Sequence, residues 1–334
     1  MTELKNILLN GVCCKSAWFM RQAGRYLPEF REIRSKNPNF LKLCLNSELS
    51  SNITLQPINR FDLDSAIIFS DILTVPYALG QNISFTKQNG PELSKLDINI
   101  FFKNNKTDFS KKLEPVYKAI KITRQKLDKK KSLISFIGAP WTLLVYMFNL
   151  KKKNKEIDIG KFKNQTLKLN KIIDELTEYL CIHIKNQIDA GADVVQIFDS
   201  WAGLLPKNKI KEYCYHPNAK IVQFCKKMNI PNICFPKGIK ENYKEFNKTV
   251  KSNGINIDYE IDPIWAKENL KNVVIQGGLD PKILLKSEAE MYEGATKYIK
   301  TFEDMPYVFN LGHGLLPETD PDRVEKLIKF YRNF

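Results

Sequence analysis

The chain has 334 residues, 43% of them hydrophobic and 27% charged, with a formal net charge of +15. That apolar share supports a sizeable core and excludes wholesale disorder, and the length suits one large α/β barrel or two ordinary domains. The charge excess is mostly lysine spread along the chain, and no stretch interleaves basic residues with aromatics as a single-strand binder would. A nucleic-acid role is therefore not expected, though a positive field would speed capture of a highly anionic small molecule.

Seven cysteines are present, including the adjacent Cys13 and Cys14. There is no C-x-x-C, and Cys214, Cys225 and Cys234 are too widely spaced for a zinc knuckle. Reduced, mostly buried thiols in a cytosolic protein are expected. MTELKNILLNG has no long apolar h-region, and no apolar run could span a bilayer. The expectation is a soluble, unexported, cytoplasmic protein without membrane partners.

The first apolar stretch, residues 17–20, reads as a short buried strand. It ends abruptly in Arg21, Gln22, Ala23, Gly24 and Arg25, where Gly24 permits a sharp turn or close backbone approach. Arg31 and Arg34 follow. Only eight of the 52 basic side chains are arginine, and four of those lie between positions 21 and 34. Arginine's planar fork grips carboxylate or phosphate with two parallel bonds, which lysine cannot do. The stretch reads as an anion clamp at a strand end. For Arg31 and Arg34, within the helix-like EFREIRSK, a solvated helix face is an equal alternative.

A polar helix-like run over 47–60 comes next. DSAIIFSDI then supplies an apolar run, 66–69, ended by Ser70 and Asp71. On position alone, Asp71 suits an N-cap for the following helix. Residues 79–112 are rich in Asn, Gly and Lys and read as an insertion with a hairpin around 83–87. Helical spacing returns over 113–127. A strand at 133–137 ends in Gly138, Ala139 and Pro140. Tyr146 follows in an apolar helix start, 141–150, where core is the commoner fate for a tyrosine. The lysine run 151–155 reads as a solvated loop.

A long amphipathic helix over 167–190 feeds a strand at 193–198, ended by Asp199, Ser200 and Trp201. Ser200 could cap a helix or face a site. Four more strands are expected, at 232–235, 255–257, 273–275 and 307–311. They end in Pro236-Lys237-Gly238, in Asp258, in Gln276-Gly277-Gly278 and in Gly312-His313-Gly314. GLDP, 278–281, is a turn into a helix. His313 stands between two glycines that open space around an imidazole, and only three histidines exist, so it is read as functional.

Eight short apolar runs separated by helix-like segments imply an α/β fold, a single (β/α)8 TIM-type barrel over 1–334. Arg21, Arg25, Asp71, Tyr146, Ser200, Lys237, Asp258 and His313 all follow such runs, and strand C-terminal ends converge on the face where barrel active sites lie. An open doubly wound sheet is the alternative, but no G-x-G-x-x-G follows the first strand. No zinc pattern, P-loop or nucleophile elbow is present, so neither metal nor cofactor is expected.

Seven blocks, WFMRQAGRYLPE, RFDLDSAIIFSDIL, GAPWTLLVYM, VVQIFDSWAG, FPKG, QGGLDP and NLGHGLLPETDPD, are similar in order to those of uroporphyrinogen decarboxylases. The resemblance spans nearly the whole chain. It implies a barrel, usually homodimeric, that removes CO2 from the four acetate side chains of uroporphyrinogen III without a cofactor. The product would be coproporphyrinogen III, in haem biosynthesis. It places Arg21, Gln22 and Arg25 on an arginine-rich substrate wall and makes Asp71 the central carboxylate facing the pyrrole nitrogens. Tyr146, Ser200 and His313 fall on positions contacting the tetrapyrrole or its carboxylates. Asp71 and Arg21 are the catalytic candidates, Arg21 as positioner, because an arginine pKa above about 12 makes a poor acid. A water or a substrate carboxylic acid would then be the proton donor. IDYEID departs from the family's usual LDWTVD by placing Tyr259 where a tryptophan is common, and 151–164 matches nothing diagnostic. Two rival classes are a corrinoid- or zinc-dependent methyltransferase on a related barrel and a non-enzymatic anion or nucleic-acid binder suggested by the charge of +15.

Overall fold

The polar edges of a strand leave its backbone no partner but a neighbouring strand. The computed structural model describes residues 1–86, 90–151, 156–158, 160 and 166–334. The strands are β1 (Ser16–Ala17), β2 (Ser65–Ile67), β3 (Ile83–Thr86), β4 (Gly90–Leu93), β5 (Ser132–Gly138), β6 (Val194–Asp199), β7 (Asn232–Pro236), β8 (Gly254–Ile257), β9 (Val274–Gly277) and β10 (Tyr307–Phe309). Eight form one parallel sheet in the order β1-β10-β9-β8-β7-β6-β5-β2, and β3 pairs antiparallel with β4 as a separate hairpin. Helices lie between the sheet strands, giving the (β/α)8 barrel expected from the sequence.

Alternation along the strands divides the core in two. Ile134, Val194, Ile233, Val274 and Val308 point inward, joined by Trp18 and Met20. Their neighbours, such as Val195 and Ile255, face the surrounding helices. The helix Glu3–Asn10 stoppers the N-terminal end of the barrel with Leu4, Ile7 and Leu8. A polar cluster crosses the interior: Trp18 Nε1 donates to Gln276 Oε1 (2.9 Å), and Gln276 Nε2 donates to Asn256 Oδ1 (2.8 Å).

No backbone ladder joins β1 to β2. Side-chain bonds and one backbone bond close this seam. Ala17 N donates to Asp64 Oδ2 (2.6 Å) and Asp64 N to Ala17 O (3.0 Å). Arg332, from the last helix Pro321–Asn333, donates to the same Asp64 oxygen at 2.7 Å. Gln22 Nε2 donates to Ser65 O (3.0 Å) on β2.

The 79–112 insertion is more ordered than its composition indicates. It holds the hairpin, the helix Ile98–Lys103, and the start of the helix Lys106–Lys126, which begins before 113 because Asn105 caps it on Asp108 N. Its polar first turn carries no apolar spacing to read. Lys87 in the expected hairpin, and Lys152–Lys155 within the expected lysine loop, lie outside the described residues.

Candidate active site

A cavity of about 580 Å³ opens at the C-terminal ends of the strands. Arg21, Arg25, Asp71, Tyr146, Ser200 and His313 all line it, although up to 292 positions separate them in the chain. The barrel brings them together because each follows its own strand.

The arginine wall depends on the turn after β1. Gln22 N donates to Phe19 O (2.9 Å), reversing the chain, and Arg21 takes a left-handed φ of 62° at the apex. Arg21 stands in the open water of the cavity with protein around its sides. That enclosure and neighbouring Arg25 lower its pKa, while Tyr146 and Asp71 raise it. Arg34 is a third cavity arginine, its guanidinium 5.6 Å from the Phe40 ring centroid. The sequence reading left Arg34 undecided, since a helix face pointing into a cleft has the same spacing as one pointing into solvent. Arg31 goes the other way: it donates to Arg25 O (2.9 Å) and Tyr26 O (2.8 Å), fastening the turn from outside.

Gln22 takes a different place from the arginines on either side of it. It is fully buried and does not line the cavity. Oε1 accepts from Phe19 N (3.0 Å), Nε2 donates across the seam to Ser65 O, and Tyr26 Oη donates to its carbonyl (2.8 Å). Next to an outward-facing residue at a tight turn, Gln22 must face inward, and there its amide satisfies backbone groups.

Asp71 is half-buried at the end of the segment after β2. Its Oδ1 accepts from Leu73 N (2.8 Å), which holds the turn before the helix Thr74–Ala78; the N-cap position of that helix is Leu73, without a side-chain cap bond, so Asp71 is a turn residue and not the N-cap its position suggested. Its carboxylate also faces the cavity. Burial pushes its pKa up to about 6, against the lowering by the Leu73 N–H and Arg21. His313 is half-buried, and burial, Lys237 and Arg21 push its pKa down to about 3, so the imidazole is neutral. Burial also raises Tyr146 above the ordinary phenol range.

Two further groups named from the sequence take different places. Asp258 is buried and fully engaged: Oδ2 accepts from Gly238 N (2.7 Å) and Tyr243 Oη (3.1 Å), and Oδ1 from Glu260 N (3.0 Å). It shapes the loop after β7. Lys237 is half-buried there, its pKa lowered by burial and by Arg21 but raised by Asp258. The ring of Tyr259 is exposed at the rim.

Aromatic rings supply the rest of the cavity, and the sequence reading missed them. Phe136, Phe198 and Phe235 line it from β5, β6 and β7, with centroids 5.7 and 6.4 Å apart along that row. Phe30, Phe40, Phe69 and Phe85 form a side wall, Phe85 arriving from the hairpin. In the sequence these look like core residues, and only strand parity near the last residue could have flagged them. The cavity thus holds an aromatic surface, three guanidinium groups on one side and a carboxylate beside them. It fits a large, partly apolar ring system carrying several carboxylates. Among the described residues, no three His, Cys, Asp or Glu side chains are grouped to hold a metal ion.

A family model described as "Uroporphyrinogen decarboxylase (URO-D)" matches residues 14–334. The chain is 41% identical over 322 residues to a uroporphyrinogen decarboxylase of Orientia tsutsugamushi (strain Ikeda), covering 95% of this chain and 94% of that one. The chain belongs to the uroporphyrinogen decarboxylase family. It is a decarboxylase of porphyrin and haem biosynthesis. A family member from Agrobacterium fabrum (strain C58 / ATCC 33970) is 37% identical over 339 residues, covering 100% of this chain and 98% of its own. Among solved structures, a methyltransferase from Methanosarcina mazei superposes with a TM-score of 0.73 at 16% identity, covering 99% of this chain and 97% of that one. That likeness shows the shared barrel.

Proposed function

We propose that this cavity decarboxylates the acetate side chains of uroporphyrinogen III in turn, giving coproporphyrinogen III. One observation carries the reading: three arginines and a single half-buried carboxylate share an aromatic-lined cavity. The arginines bind and orient the ring's carboxylates through paired N–H bonds. The aromatic surface accepts the macrocycle. Asp71 faces the pyrrole N–H groups.

The chemistry asks for such an arrangement. Protonating a ring carbon beside the acetate-bearing position makes the pyrrole cationic. The C–CO2 bond then breaks, and its electron pair flows into the ring as an exocyclic methylene. CO2 departs, the methylene takes up a proton to become a methyl group, and the ring carbon returns its proton. An acetate becomes a methyl group and CO2, with no redox change. Ionised Asp71 stabilises the cation through the N–H groups, a preorganised charge worth roughly 3–4 kcal/mol by analogy with one oxyanion donor. Arg21 positions a carboxylate. The first proton comes from water or a substrate carboxylic acid, since the guanidinium is a poor acid. Neutral His313 and the hydroxyls of Tyr146 and Ser200 complete the hydrogen bonding to substrate.

We further propose a cytoplasmic homodimer. Leu204, Tyr259, Ile264 and Leu285 are exposed on segments following β6, β8 and β9, an apolar rim suited to a second copy. No described helix is long and apolar enough to cross a membrane. The test is anaerobic incubation with reduced uroporphyrinogen III, then oxidation and separation of the porphyrins by carboxyl number. Seven-, six-, five- and four-carboxyl porphyrins should appear in succession without added metal or nucleotide. Unchanged eight-carboxyl porphyrin would overturn the reading.

A further inference from the structure

Arg21 is the one cavity arginine with a left-handed backbone, at φ 62°. A side chain with a Cβ stays in that region only where its surroundings leave no alternative. Here they do not. Met20 N donates to Asn310 Oδ1 (3.1 Å), and Leu315 N donates to Met20 O (2.9 Å). These bonds fasten the arginine turn to the segment after β10. On the other flank, a Cβ at Gly24 would come within 2.8 Å of Arg21 O.

Gly314 lies inside this fastening. A methyl group there would come within 2.7 Å of Arg21 Cγ and 2.9 Å of Nε, and would overlap Cδ as well. The contact is with the stem of the side chain, near the backbone, so a flick of the guanidinium could not relieve it. Neither backbone can retreat without breaking the Leu315–Met20 bond. The reading of GHG as room around the imidazole is therefore incomplete: Gly312 makes room for the backbone of Tyr259, and Gly314 for Arg21.

We propose that Gly314 is a positioning residue for the decarboxylation, its absent side chain forming the slot that fixes the Arg21 stem and aims the guanidinium at a substrate carboxylate. The inference rests on the assignment of this cavity as the tetrapyrrole site.

The test is a cycle of four proteins: parent, Gly314→Ala, Arg21→Ala and the double variant. Two quantities are read, the Kd for uroporphyrin III (the oxidised, unreactive ring with the same eight carboxylates) and the melting midpoint. With Arg21 present, Gly314→Ala should weaken uroporphyrin binding about tenfold or more, as a misplaced charge-assisted pair would. With Arg21 already removed, the same change should alter Kd less than twofold, because no stem remains to displace. Any fall in melting midpoint caused by Gly314→Ala should likewise disappear in the double variant. Equal losses in both backgrounds, or no loss with Arg21 present, would overturn the proposal. If Gly314→Ala alone does not fold, the double variant decides: folding with the midpoint of Arg21→Ala supports the slot, and failure to fold refutes it. A parent that binds no uroporphyrin contradicts the assignment of the cavity instead, and the melting comparison still decides whether Gly314 holds the Arg21 stem.

Discussion

Asp71 holds a turn and faces a cavity with the same carboxylate, and the two tasks set different requirements. The turn needs only an acceptor for Leu73 N. The cavity keeps the group away from bulk water and raises its pKa to about 6. A raised carboxylate pKa means the folded state binds the proton more tightly than the unfolded chain. Stability from this group is thus fully present below about pH 4 and is lost as pH rises through 6. The site gives up stability at neutral pH to keep a charge ready. An acid limb in kcat/KM near pH 6 is therefore expected, reporting Asp71 in the free enzyme. Asp71→Asn should remove that limb, and a limb that persists at the same pH would assign it elsewhere. His313 contributes none, because it stays neutral down to about pH 3. The wall makes a separate demand. Arg21→Lys and Arg25→Lys keep the charge but lose the planar fork, and each should lower kcat/KM by about ten- to a hundredfold. Parental values in both variants would contradict a bidentate clamp.

At the scale of elements, most of the fold was legible because the sheet strands are short, apolar and followed by polar, Gly or Pro residues, and because the helices between them are amphipathic. The seam between β1 and β2 was not. Nothing in the spacing of Asp64, Gln22 and Arg332 reveals that they substitute for a missing ladder, since the three meet only after the barrel closes. The same limit explains the site. Arg21, Arg25, Asp71 and His313 could be found at strand ends, whereas Arg34 and the phenylalanines required knowing which face of their element meets the cavity. Gln22 shows the opposite case, a polar residue beside the wall that turns inward. Gln22→Leu should leave Phe19 N and Ser65 O unpaired, costing about 1–3 kcal/mol for each group. Its melting midpoint should fall together with activity. A contact residue would instead lose activity at a parental melting temperature, and that result would return Gln22 to the substrate wall.

Across the whole molecule, the charge of +15 favours capture of a ring carrying eight carboxylates, and uroporphyrinogen affinity should weaken with rising salt. The barrel gathers cavity residues from six strand ends, those of β1, β2, β5, β6, β7 and β10, and the proposed mechanism asks that their one carboxylate face the charge that develops in the ring. Asp71→Asn tests that account most directly. Asparagine can still accept from Leu73 N through its Oδ1, so the variant should fold, with a melting midpoint at pH 7.5 equal to or above the parent's. Uroporphyrinogen decarboxylation, followed by carboxyl number, should fall by about a hundred- to a thousandfold, as when one preorganised transition-state partner is lost. Near-parental decarboxylation by well-folded Asp71→Asn would leave Asp71 a turn residue and remove the centre of the mechanism.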